Sequence, residues 1–224
     1  MNWREPVFDY CERQSAAFWA EPLNALSNAA FLVAAGAAFL LWRRRGGGDY
    51  PALALIVVTA CVGLGSFIFH TVATRGAMLL DVIPIAIFIY AYFFLTLRRL
   101  FDLNALAATA ITVAFGVFSY GVDEAINGLN GSAAYLPALG ALTAFATLLS
   151  APEADEALLL RKRAAARGLA MAAGVFLISL CLRTLDRAVC PAFPLGAHFL
   201  WHLLNACVLW LLLRNAILAA PRAS

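Results

Sequence analysis

The sequence predicts an all-α integral membrane protein, a bundle of seven transmembrane helices with the N-terminus outside and the C-terminus inside. Three observations carry this. The 224 residues are 63% hydrophobic and only 13% charged, against about 25% charged in soluble domains. The mean hydropathy is +0.83. Charge-poor stretches recur seven times along the chain, most near the roughly 20 residues that cross a bilayer as helix, and the alternating segments of a membrane barrel are missing. A water-soluble enzyme, a disordered chain and a nucleic-acid binder are thereby disfavoured. The net charge of +3 sits in short basic runs rather than along one face. Seven spans with short loops use the whole length, so residues 1–224 read as one domain.

Taken in order, residues 1–21 hold Arg4, Glu5, Asp9, Glu12, Arg13 and Glu21 and lack the apolar core of a cleavable signal. They read as an extramembrane segment of the mature protein. Span one runs from Pro22 to Trp42 and stops at Arg43-Arg44-Arg45-Gly46-Gly47-Gly48. Span two covers Ala52 to Val72. Span three covers Ala77 to Leu97, is interrupted only by Asp81, and stops at Arg98-Arg99. Span four runs from Leu103 to Val122, before Asp123-Glu124. Span five covers Ala133 to Ser150, span six Gly168 to Leu182, and span seven Leu195 to Leu213. The connection from Ala151 to Arg167, acidic first and basic after, reads as a helical extension on the inner side.

Basic residues set the orientation. With the N-terminus outside, the inner segments hold Arg43, Arg44, Arg45, Arg98, Arg99, Arg161, Lys162, Arg163, Arg167, Arg214 and Arg222. The outer segments hold Arg4, Arg13, Arg75, Arg183 and Arg187. Eleven of the sixteen basic residues thus lie inside.

Ionisable side chains within spans are costly and usually functional. The chain has three histidines, His70, His198 and His202. In the predicted topology all three, with Asp81, lie at one depth below the outer surface. His198 and His202 are four apart and share a helix face about 6 Å apart along the axis, a common zinc half-site. Ser66 and His70 share a face in the same way. Three histidines make an open zinc site with room for water, whose pKa the metal lowers to about 7. Asp81 then suits a proton acceptor and donor, and Ser66 a group that holds water or supports an oxyanion. The competing reading is a polar packing network or a proton relay.

A second cluster precedes span one: Asp9, Glu12, Gln14 and Glu21, with Asn24 beyond. Dense oxygen donors suit Ca²⁺, although the spacing is not an EF-hand's and, on spacing alone, a solvated acidic loop is the better reading. Cys61 and Cys207 read as small buried residues within spans. Cys11 and Cys190 fall in outer segments, where oxidation is possible, and Cys181 competes for either partner. Trp3, Tyr10, Phe18 and Trp19 read as interfacial anchors.

Four segments resemble the alkaline ceramidases, seven-helix membrane amidases of a superfamily that includes the adiponectin receptors. Asp9-Tyr10-Cys11-Glu12 is similar to the family's Asp-Trp-Cys-Glu, and Glu21-Pro22-Leu23-Asn24-Ala25-Leu26-Ser27-Asn28 to its Glu-Phe-Trp-Asn-Thr-x-Ser-Asn. Ser66-x-x-x-His70 with Asp81 matches the family's Ser, His and Asp spacing, and His198-x-x-Trp201-His202 its His-x-x-Trp-His. The resemblance implies zinc on His70, His198 and His202, with Ser66 and Asp81 beside the water. It implies calcium on Asp9, the Tyr10 carbonyl, Glu12, Gln14 and Glu21, a Cys11–Cys190 disulfide, and an oxyanion-steadying role for Tyr135. The departures are Gln14 in place of Asn, Tyr10 in place of Trp, and a shorter stretch before Glu21.

The reading is therefore a zinc-dependent intramembrane amidase that splits ceramide-like lipids into fatty acid and sphingoid base. It places the chain as a multi-pass protein of a bacterial inner membrane, with its site toward the outer side and membrane lipid as its partner. The rivals are a hydrolase of another N-acyl lipid, a receptor-like or structural zinc protein, and a transporter. A transporter calls for ionisable residues through the whole membrane thickness, which the inner halves of these spans do not show.

Overall fold

The computed structural model describes residues 2–220, so Met1 and, at the other end, Arg222 of the inner basic set lie outside the described residues. The chain forms α1 (Pro22–Ser27), α2 (Ala29–Arg44), α3 (Tyr50–Val72), α4 (Arg75–Leu100), α5 (Ala105–Ala125), a 3-10 turn (Ala133–Tyr135), α6 (Leu136–Leu149), α7 (Glu156–Val189) and α8 (His198–Ala219). No strand occurs among the described residues; one isolated bridge joins Pro6 to Thr74. Short α1 and α2 together make span one, Pro22–Arg44, and six spans reach membrane-crossing length. The seventh, Ala133–Leu149, is shorter.

Polar residues between the apolar runs start the helices. Asp49, Thr74, Asn104 and Asp155 each accept a backbone N–H three residues on, from Ala52, Ala77, Ala107 and Leu158, which satisfies a donor that the helix itself cannot. Two boundaries differ materially from the expectation. Span six runs on to Val189 rather than ending at Leu182, and the helical extension expected before it is present from Glu156, so the two make one helix of 34 residues, about 50 Å long against about 30 Å of hydrocarbon. Span seven starts at His198 rather than Leu195 and runs on to Ala219.

The α3–α4 contact fixes the site end of the bundle. Pro84 lies inside α4 and has no N–H for the carbonyl four residues back, that of Leu80. This carbonyl lies against Gly65 of α3 so closely that any Cβ there collides with it. Ser66 and Asp81, the next residues on each helix, are brought together by the same approach. The aromatic and aliphatic core below includes Phe88, Phe93, Phe145, Leu169, Phe176 and Leu213. α5 is the loosest element, buried only at Ala108 and Ser119.

The N-terminal segment lies across the turn between α3 and α4. Val7 N–H donates to the Ala73 carbonyl at 2.9 Å, and Arg75 and Gly76 donate to Glu5 and Trp3. A disulfide joins Cys11 to Cys190, so Cys181 does not compete for it. Cys181, Cys61 and Cys207 are free and exposed. The expectation that Cys61 and Cys207 are buried is corrected: lipid is as apolar as protein, so an apolar residue in a span gains nothing by facing inward. Trp3, Phe18 and Trp19 are exposed, but Tyr10 turns its ring onto the histidines.

Gly65→Ala should destabilise the protein by about 1–3 kcal/mol, the usual cost of overpacking, because α3 and α4 must part. Thermal unfolding in detergent checks this. Gly36→Ala, where a Cβ meets nothing within 4 Å, should leave the melting temperature unchanged.

Candidate metal centre

α3 brings His70, and the first two turns of α8 bring His198 and His202, to one point at the end of the bundle covered by the N-terminal segment. All three are buried. One ligand atom from each lies within 4.8 Å of the others, and among the described residues this is the only such group of three or more histidine, cysteine or carboxylate side chains. Ser66 and Asp81 are buried beside them.

Each ring is held by a different neighbour. His70 Nδ1 meets Glu21 Oε2 at 2.6 Å. A carboxylate can only accept, so Nδ1 carries a proton and Nε2 of the neutral ring keeps a bare lone pair. His202 Nδ1 meets Ser27 Oγ at 2.7 Å. The Ser27 hydroxyl donates to the Asn24 carbonyl at 2.9 Å, so the histidine again donates and again frees Nε2. His198 is fixed by stacking, between Tyr10 at 3.7 Å and Trp201 at 5.3 Å between ring centroids. His70 Nε2, His202 Nε2, His198 Nδ1, Ser66 Oγ and Asp81 Oδ1 are buried with no hydrogen-bond partner among the described residues. Orphaned polar atoms in such a number at one place call for a ligand.

The acidic N-terminal residues divide between support and solvent. Glu21 is buried and binds Arg13 as well as His70, and Asn24 Nδ2 donates to it at 2.9 Å. Burial pushes its carboxyl pKa up, but the hydrogen bonds from His70, Asn24 and Arg13 outweigh this and hold it below the usual value. Arg13 also donates to the His70 carbonyl at 2.9 Å, so one buried ion pair clamps the backbone and the ring of the same histidine. Glu12 accepts from the Leu23 and Asn24 N–H groups, both at 2.8 Å, at the start of α1. Its pKa is raised by burial despite those bonds. Gln14 donates to the Cys11 carbonyl, Asp9 is exposed, and the Tyr10 carbonyl accepts from Arg13 N–H.

Asp186, which no local pattern signals, is fully buried on α7. Its carboxylate accepts from Ala197 N at 2.7 Å and His198 N at 2.9 Å, capping α8 from another helix, and from Cys11 N at 3.0 Å. Gly196 permits this: its φ is +68°, and a Cβ there would run into Asp186 and Cys11. Tyr135 does not touch a histidine ring directly but packs 5.9 Å from Trp201, with the Arg183 guanidinium 5.3 Å from its ring centroid.

A sequence model of the ceramidase family matches residues 5–219. The chain belongs to the ceramidase family. No curated relative matches the sequence. Family membership makes the chain a hydrolase of amide bonds, with ceramide as the general substrate. The ceramidase's histidine cluster also fits the zinc that the resemblance implies, since it offers three imidazoles with an unpartnered ring nitrogen each and outer partners that fix two tautomers. The tract from Glu21 to Asn28 gains a physical meaning: Glu21 and Ser27 hold two histidines, and Asn24 and Asn28 hold the turn that presents them.

Asp186→Ala would strand three buried N–H groups, at about 1–3 kcal/mol each before relaxation. Its melting temperature should fall well below that of Asp123→Ala, a change at an exposed residue. Equal melting temperatures would show that the cap supports nothing.

Proposed function

We propose that this ceramidase is a zinc-dependent intramembrane amidase that cleaves the N-acyl bond of ceramide-like lipids into a fatty acid and a sphingoid base. The observation that carries the proposal is the meeting of three histidines, Asp81 and Ser66, all with unpartnered buried atoms, close to the end of an apolar cavity whose wall includes Tyr135 and Trp201. Zinc bound by His70, His198 and His202 supplies Lewis acidity and water of lowered pKa.

The chain's own residues supply the rest. Asp81 accepts the proton from the attacking water and returns it to the leaving nitrogen, so the water's oxygen ends on the acyl carbon and its hydrogens are shared between the products. The Ser66 hydroxyl donates to the carbonyl oxygen as that oxygen gains charge, and Tyr135, at the cavity wall, adds a second donor. Phe31, Phe88, Phe115, Leu142 and Phe145 line the cavity and hold the acyl chain away from water. The oxygen-rich N-terminal segment is the proposed calcium site, where the ion competes with Arg13 for Glu21.

His→Ala at any of the three positions should remove zinc and fatty-acid release together, since three ligands leave none spare. Asp81→Asn should retain zinc and lose about 10²–10⁴-fold in kcat, and Ser66→Ala should be slower with zinc retained. Metal analysis and fatty-acid release from N-acylsphingosine check all three. Full activity in a zinc-free His198→Ala protein would overturn the mechanism.

For calcium, chelation selective for Ca²⁺ should lower the melting temperature and leave zinc in place, and Glu12→Gln should reproduce it. A melting temperature that stays flat through a calcium titration would refute calcium binding.

A further inference from the structure

A second cavity, of about 220 Å³, lies at the other end of the bundle between α4, α7 and α8. Asp81 and Arg99 are both on α4, and the rise per residue puts them about 27 Å apart, nearly the thickness of the hydrocarbon core. This cavity therefore opens at the opposite headgroup layer from the histidines. It is bordered by four cations, Arg99, Arg161, Lys162 and Arg214, and its apolar wall includes Leu100, Leu158 and Leu218.

Two of the cations are already neutralised. Arg99 is paired with Asp49 and also donates to the Ala216 carbonyl at 2.9 Å. Lys162 is paired with Glu153 at 2.6 Å. Arg161 and Arg214 have no hydrogen-bonding or ion-pair partner among the described residues. Both are exposed, and they approach the cavity from different helices. The extended α7 is what creates the site: its first turns project past the apolar zone and carry Arg161 and Lys162 to a place beside Arg214, five residues before the end of α8.

We propose that this cavity binds the phosphodiester headgroup of an anionic phospholipid. Arg161 and Arg214 hold the phosphate, as guanidinium groups suit phosphate oxygens, and the first carbons of the acyl chains lie on Leu158 and Leu218. Basic pockets between membrane helices at a headgroup layer bind such lipids. A zwitterionic lipid brings its own cation to two unpaired arginines and is disfavoured. The site is independent of zinc and of turnover.

The test is thermal unfolding of the purified full chain in neutral detergent with added phosphatidylglycerol, phosphatidylcholine or inorganic phosphate. Phosphatidylglycerol should raise the melting temperature of the wild type by about 5 °C near saturation, and salt should weaken the effect. Phosphatidylcholine should not do so. The Arg161→Gln/Arg214→Gln double variant should lose the shift while melting as the wild type does in phosphatidylcholine. Arg43→Gln/Arg44→Gln, which removes two exposed cations elsewhere, should keep it. Equal loss in both double variants would overturn the site in favour of diffuse surface charge. An equal shift with phosphatidylcholine, a shift with inorganic phosphate alone, or no shift would overturn it as well.

Discussion

Polar atoms buried without a partner cost about 1–3 kcal/mol each, and this bundle gathers five of them where His70, His198, His202, Ser66 and Asp81 meet. The architecture around that point makes sense as a means of holding them there. Two imidazoles are turned outward-bare by acceptors on their other nitrogens, Glu21 and Ser27, and the third is held between two aromatic rings. The break between α1 and α2 presents Ser27, and the Gly65–Leu80 approach presents Ser66 beside Asp81. A membrane protein gains little from sorting apolar residues inward, so the polar contacts at this end do much to define which helix faces meet.

The extramembrane segment is consequently part of the site. Arg13 and Glu21 are both buried, and a buried ion pair is stabilising only when its remaining hydrogen bonds are satisfied. Here Arg13 donates to the Ser15, Ala17 and His70 carbonyls as well as to Glu21. The Cys11–Cys190 bond and the Asp186 carboxylate then tie the same segment to the start of α8. Three links converge near His198, and the histidine cluster and its cover form one mechanical unit.

Much of this was legible in the sequence because it follows from local rules. Hydropathy marked seven spans, and the cost of ionisable groups in lipid singled out the histidines and Asp81. What stayed hidden depends on contacts between distant residues. Asp186 meets Cys11 across 175 positions, and nothing in its neighbours distinguishes it from an outer-loop acid. Arg13 counted as a surface charge for topology and proved to be buried. Tyr10 read as an anchor because it is an aromatic residue close to span one, yet it stacks on His198. The misplaced cysteines have the opposite cause: burial rules learned in water fail for residues that can face lipid.

Anomalous scattering measured on either side of the zinc absorption edge, from crystals of protein purified without chelator, tests the central claim most directly. The account predicts one zinc peak per chain, about 2.0–2.1 Å from a ring nitrogen of each of His70, His198 and His202, with Asp81 and Ser66 facing its open side. A fully active protein whose crystals show no zinc between the three histidines would contradict it.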